Sequence, residues 1–121
     1  MNTIRIGRIQ DAVETSAQRI LVDRLWPRGV SKEKASWDTW IKDVAPSTEL
    51  RKWYGHDPKR LEEFRIRYLK ELDEGRQGTS VQRLLHIVEQ GPVILLTATK
   101  DVTLSQLPVL RDFLLSLTND D

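Results

Sequence analysis

The chain has 121 residues, 39% of them apolar and 31% charged, with a net charge of +1, which fits one soluble domain and is too apolar for disorder. It contains no cysteine, so disulfides, thiolate zinc sites and a cysteine nucleophile are excluded. No apolar run approaches the roughly 18 residues of a membrane span, and Met1 to Gln10 lack the apolar stretch of a signal peptide; a cytoplasmic address and no membrane partner are expected.

Taken in order, Thr3 to Ile9 places Ile4 and Ile6 at period two, and Arg19 to Leu25 is a run rich in strand formers that contains Ile20, Leu21 and Val22. Both predict strands. The intervening segment, Asp11 to Gln18, has no steady period and reads as a loop or short helical turn. Trp26-Pro27-Arg28-Gly29 forces a turn, and Ser31 offers a helix cap to the short segment Lys32 to Trp37. Thr39 to Val44 alternates as a short third strand. Ser47 as cap, Glu49 in the first turn and Gly55 as stop predict a short helix.

Asp57-Pro58 repeats the start signal for a longer helix with the stripe Leu61, Phe64, Tyr68, Leu69 and Leu72, ending at Gly75. Thr79 or Ser80 caps the next, with Val81, Leu84, Leu85 and Val88 inward and Gly91-Pro92 as its end. Val93 to Thr97 is a continuous apolar run, the pattern of a strand covered on both faces. The last helix carries Leu107, Leu110, Phe113, Leu114 and Leu117, with Pro108 tolerable only in its first turn. Alternating strands and helices predict a single α/β domain over residues 1–121, with 118–121 a frayed tail. Its sheet is expected to be mixed and mostly parallel, because the first two strands are close enough in sequence to pair antiparallel.

Charge is unevenly distributed. Residues 1–70 hold 15 Lys and Arg against 10 Asp and Glu, whereas residues 71–121 hold 4 against 8; seven of the eight aromatic residues lie between Trp26 and Tyr68. Cationic and aromatic surface therefore share one half, which suits an anionic or nucleotide-like partner. In open α/β sheets ligands bind beyond the carboxyl ends of strands. Each of three predicted strand ends carries a cation: Asp23, Arg24 and Arg28 follow the second, Lys42, Asp43 and Ser47 the third, and Thr97, Thr99, Lys100 and Asp101 the buried run. If those strands are parallel, Arg24, Arg28, Lys42 and Lys100 gather on one rim beside the helix headed by Ser47.

That rim is expected to bind a small anion, phosphate-bearing and possibly a nucleotide, with Arg51 nearby and Trp26 or Trp53 available to stack on a base. If a bond is broken, Asp23 or His56 is the acid or base, His56 having Asp57 beside it. Each residue also has a plain structural role open to it: Arg24 as an ion pair with Asp23 or Asp43, Trp26-Pro27 as a core plug, Lys42 as a solvated edge residue. Two distant histidines make no metal spacing. The dinucleotide, P-loop, hydrolase-elbow and zincin motifs are missing, so no metal and no cofactor are expected, although Asp23, Asp43 or Asp101 could hold magnesium with nothing in their spacing demanding it. A nucleic-acid binder using the basic half, or a non-catalytic protein-interaction module using the tryptophans, fits the same residues.

The run Arg19-Ile-Leu-Val-Asp-Arg-Leu-Trp-Pro-Arg-Gly-Val-Ser-Lys32, with Trp40-Ile-Lys-Asp-Val-Ala-Pro-Ser47, Glu49-Leu-Arg-Lys-Trp-Tyr-Gly-His-Asp-Pro58, Arg67-Tyr68, Glu71-Leu72, Gly91-Pro-Val-Ile-Leu-Leu96 and Lys100-Asp101, resembles the YeaO-like bacterial proteins of the domain-of-unknown-function 488 family. The resemblance covers nearly the whole chain and implies a small cytoplasmic α/β protein, with no reaction attached. Asp23, Arg24, Trp26, Arg28, Lys42, Asp43, Ser47, Arg51, His56 and Lys100 all fall on matching positions. After Lys100-Asp101 the family pattern has acidic residues and a histidine where this chain has Val102-Thr-Leu-Ser105. An activity that depends on that histidine would not extend to this chain.

Overall fold

The computed structural model describes residues 3–11 and 16–118. Among these, strands β1 (Ile4–Arg8), β2 (Gln18–Leu21), β3 (Thr39–Trp40) and β4 (Val93–Thr97) form a sheet in the order β1-β4-β2-β3, and every pairing is parallel. The apolar run β4 is central, with all five residues buried. The expected antiparallel pairing of β1 with β2 does not form, because β4 stands between them, setting Val93 opposite Ile4 on one side and Gln18 on the other. A strand covered on both faces must also satisfy its N–H and C=O groups along both edges, so it takes two neighbours. The nine residues 9–17 suffice to return along a five-residue strand at roughly 3.3 Å per residue. Of that connection, residues 12–15 lie outside the described part, as do 119–121 of the expected tail.

Alternation along β4 divides the interior. Val93 and Leu95 join the main core with Ile4, Ile20 and Val22 and with apolar residues of all four helices: α1 (Thr48–Tyr54), α2 (Leu61–Glu74), α3 (Thr79–Gln90) and α4 (Leu107–Thr118). Ile94 and Leu96 face the other way, against Ala17, Ile9 and Trp37. No helix among the described residues is long and apolar enough to cross a membrane.

Local chemistry sets the element ends. Ser47 caps α1 by accepting the Leu50 N–H at 3.2 Å, and Gly55 ends it in the left-handed region at φ 53°. Asp57 caps a 3-10 turn, Pro58–Arg60, that runs into α2, so the Asp-Pro start signal acts one turn earlier than the helix proper. Within α2, Phe64, Tyr68 and Leu72 point inward, whereas Leu69, one residue past Tyr68 and about 100° around the helix, is 48% exposed. Gly78, not Thr79 or Ser80, takes the cap position of α3. Pro108 is the second residue of α4, where its missing N–H costs nothing.

The third strand is shorter than expected. Only Thr39 and Trp40 pair with β2; the chain then closes a 3-10 turn over Lys42–Val44, with the Ala45 N–H donating to the Lys42 carbonyl at 3.1 Å. That turn aims the Val44 carbonyl at the buried Tyr68 hydroxyl, 2.7 Å away, and buries the Val44 side chain.

Candidate functional site

Parallel pairing puts the carboxyl ends of β2 and β4 side by side, and a cleft of about 210 Å³ opens there. Its walls are Asp23 to Pro27 after β2, Ala45 and Pro46 before α1, Arg51, Tyr54 and His56 at the end of α1, Phe64 of α2, Ala98 and Thr99 after β4, and Gln106 at the head of α4.

Asp23 sits at the back and is densely hydrogen-bonded. Its Oδ1 accepts from the Thr97 hydroxyl at 2.7 Å and the Gln106 amide at 2.9 Å, and its Oδ2 from the Ala98 N–H at 2.8 Å. Gln106 also donates to the Val22 carbonyl at 3.0 Å, and Thr97 Oγ1 lies 3.1 Å from Thr99 Oγ1. The carboxylate thus ties the ends of β2 and β4 to the start of α4. With three of about four acceptor positions filled, it has little capacity left to take a proton from a substrate.

Arg24 forms the adjoining wall with its fork turned into the protein. Nε donates to the Pro46 carbonyl at 2.9 Å and Nη2 to the Ala45 carbonyl at 3.0 Å, with Asp43 3.8 Å from Nη1. These bonds hold the loop after β2 against the segment that leads into α1. Trp26 is fixed by its indole N–H on the Val30 carbonyl at 2.6 Å and by edge-to-face contacts with Trp37 and Trp40 at 5.0 and 5.3 Å.

Arg51 and His56 differ from these. Arg51 is an exposed wall residue of the cleft, with no ion pair or side-chain hydrogen bond to any described residue. His56 follows Gly55 at φ 56°, the one non-glycine residue with positive φ among those described, and its ring stands edge-on to Tyr54 at 5.5 Å. Tyr54 donates to the Leu104 carbonyl at 2.7 Å and stacks on Phe64 at 4.0 Å; burial raises its pKa above the ordinary tyrosine value, opposed by Arg65.

The remaining expected residues lie elsewhere. Arg28 and Lys100 are exposed and do not line the cleft. Lys42 sits 5.7 Å from the Trp40 ring centre, outside the cleft. Asp43 and Ser47 face a neighbouring groove toward α3. There the head of α1 already holds an anion: Glu71 of α2 accepts from the Ser47 N–H at 2.9 Å and from its hydroxyl at 2.6 Å. Asp101 accepts from both the Thr103 N–H and hydroxyl, and these bonds hold its carboxyl below the usual carboxylate range. Trp53 has Arg67 and Arg60 over its ring, 4.2 and 5.3 Å from the centre, and does not line the cleft.

Comparison with known proteins adds the family. Residues 3–121 match the family model described as the inactive DUF488-N3 subclade. The chain belongs to the DUF488 family. Among relatives of this DUF488 member, the uncharacterized protein YeaO of Escherichia coli (strain K12) is 42% identical over 115 residues, 94% of this chain and 98% of that one. The uncharacterized protein Rv3073c of Mycobacterium tuberculosis (strain H37Rv) is 38% identical over 112 residues, 92% of each chain. No solved structure matches significantly.

In this DUF488 chain the departing segment Val102–Leu104 is a 3-10 turn capped by Asp101, whose last carbonyl receives the Tyr54 hydroxyl. Sequence reasoning missed Tyr54, Phe64 and Gln106 as wall residues, and Glu71 as the partner of Ser47, whereas Thr99 falls among the strand-end residues it named. Only Glu71 had a visible signal. It stands one residue before Leu72 and three after Tyr68, a carboxylate on the edge of an inward apolar stripe, where a charge needs a partner.

Proposed function

We propose that the cleft at the carboxyl ends of β2 and β4 binds a small anionic molecule, a phosphate-bearing compound being one member of that class, and that it does so without catalysis. The observation that carries this reading is the contrast between two wall arginines: Arg24 is engaged by backbone carbonyls, whereas Arg51, exposed at the same cleft, has no partner among the described residues, so its planar fork is free to meet a ligand. His56 supports it. A residue other than glycine held at positive φ costs about 1 kcal/mol, and such strain clusters at ligand sites. The position beyond parallel strand ends is the usual one for ligands in α/β sheets.

Absence of bond-breaking is supported by the three donors already on the carboxylate of Asp23 and by the description of the matching subclade as inactive. The test is a thermal-shift and calorimetric titration with inorganic phosphate, nucleoside monophosphates and small carboxylates. At 100 times its dissociation constant a ligand should stabilise the fold by about 2.7 kcal/mol. Arg51→Gln should abolish the shift while leaving the unliganded protein as stable as before, since Arg51 has no partner to lose. No response to any anion, or an unchanged response in Arg51→Gln, would refute the proposal.

A further inference from the structure

We infer that the ligand of this cleft is a small monocarboxylate with a flat apolar body, such as an aryl or heteroaryl carboxylic acid, in preference to a phosphate ester. The inference rests on the anion-binding reading above and narrows it by size, wall chemistry and the supply of donors.

Size comes first. Drug-sized ligands occupy pockets of about 300 to 1,000 Å³. A cleft of about 210 Å³, open to solvent on one side, encloses about one ring and one acid group, so most of a nucleoside phosphate would lie outside its walls. Wall chemistry comes next. Leu25, Trp26, Pro27 and Phe64 present apolar surface around the space, and Leu25 is 59% exposed although it lies beside a preformed cleft. The loop bearing it is held at both ends, by Arg24 on the Ala45 and Pro46 carbonyls and by Trp26 on the Val30 carbonyl. The apolar wall is therefore in place before any ligand arrives, which favours a rigid flat body over a flexible polar one.

Donor supply decides the acid. Phosphate groups are typically held by several N–H groups at once, often at a helix N-terminus. Here the head of α1 is filled by Glu71, and Arg24 is turned inward. Arg24 has two of its donors committed to backbone carbonyls, and the wall adds Arg51 and His56, both exposed, with Arg51 unpaired among the described residues. One planar guanidinium matches one planar carboxylate through two parallel hydrogen bonds, whereas it leaves most of a phosphate dianion unpaired.

The experiment is a competition among simple probes: benzoate, indole-3-carboxylate, acetate, inorganic phosphate and the neutral isostere benzamide, each titrated by calorimetry and by quenching of tryptophan fluorescence. The expected result is that benzoate and indole-3-carboxylate bind at least tenfold more tightly than acetate or phosphate, that benzamide does not bind, and that Arg51→Gln removes the binding. Leu25→Ser, a change at an exposed position, should weaken benzoate severalfold and leave acetate unchanged. Phosphate or acetate binding as tightly as benzoate would overturn the monocarboxylate assignment while sustaining the anion site. Benzamide binding as well as benzoate, or benzoate binding unaltered in Arg51→Gln, would overturn it by removing the role of the charge. No binding by any probe anion would overturn this inference and the anion site together.

Discussion

Replacing Asp23 with alanine should reveal whether this carboxylate is a clamp of the fold. Three donors lose it at once, but unequally. The Thr97 hydroxyl keeps Thr99 Oγ1 nearby, and the Gln106 amide keeps the Val22 carbonyl, so each loses one of two contacts. The Ala98 N–H has no other partner among the described residues and is orphaned outright. An orphaned, partly buried donor costs about 1 to 3 kcal/mol and each weakened donor roughly 0.5 kcal/mol, while relief of the carboxylate's own desolvation offsets part of the sum. The net expectation is a loss of about 2 to 3 kcal/mol. With a urea slope of about 1.5 kcal/mol/M for a chain of this length, the unfolding midpoint should fall by roughly 1.3 to 2 M at unchanged slope. Asp23→Asn discriminates further. The amide keeps one acceptor but points its NH₂ at the Ala98 N–H, donor against donor, so it should cost about 2 kcal/mol despite its matching shape. A midpoint shift below about 0.3 M in Asp23→Ala would mean that the bonds contribute nothing net and would return Asp23 to candidacy as a reactive group.

Tyr68 is wholly buried, and burial holds its hydroxyl well above the ordinary tyrosine value. Above about pH 10 the unfolded chain releases this proton while the folded one keeps it, so the unfolded state binds fewer protons and stability falls as pH rises. Tyr68→Phe should cost about 1 to 2 kcal/mol at pH 7 by orphaning the Val44 carbonyl, and should flatten the decline between pH 10 and 11 in urea titrations; an equally steep decline would refute the assignment. At position 56, with φ at 56°, glycine should be about 1 kcal/mol more stable than alanine by thermal denaturation, and both should weaken anion binding. Equal stability of the two variants would show that the backbone there carries no strain.

Much of the scaffold was legible from local signals. The apolar run Val93 to Thr97 identified the central strand without reference to any partner, and Ser47 with Gly55 bounded α1, because side-chain capping and left-handed glycine act within a few residues. Pairing order was not legible in the same way. Proximity of β1 and β2 in the chain suggested a hairpin-like pair, but edge satisfaction of β4 outweighed it, and that requirement is set by a strand about seventy residues downstream. Likewise the chain leaves the sheet after Trp40 for the turn Lys42–Val44, whose last carbonyl receives the hydroxyl of Tyr68 on α2, a contact no window around residue 44 contains.

The site divides along the same line. Cation positions are visible in a sequence; their occupancy is not. Arg24 after a strand and Arg51 within a helix read alike as candidate anion ligands, yet the fold engages the first with two backbone carbonyls and leaves the second exposed and unpaired among the described residues. Ser47 marked a helix head fit for an external anion, and the protein supplies its own in Glu71. Counting strand-end cations therefore overstates the charge available to a ligand, since a folded chain satisfies its buried and partly buried polar groups first. What survives that subtraction at the cleft is one guanidinium and one imidazole against an apolar wall, a supply of donors suited to holding a single weak acid and poorly suited to stabilising the spread charge of a phosphoryl-transfer transition state.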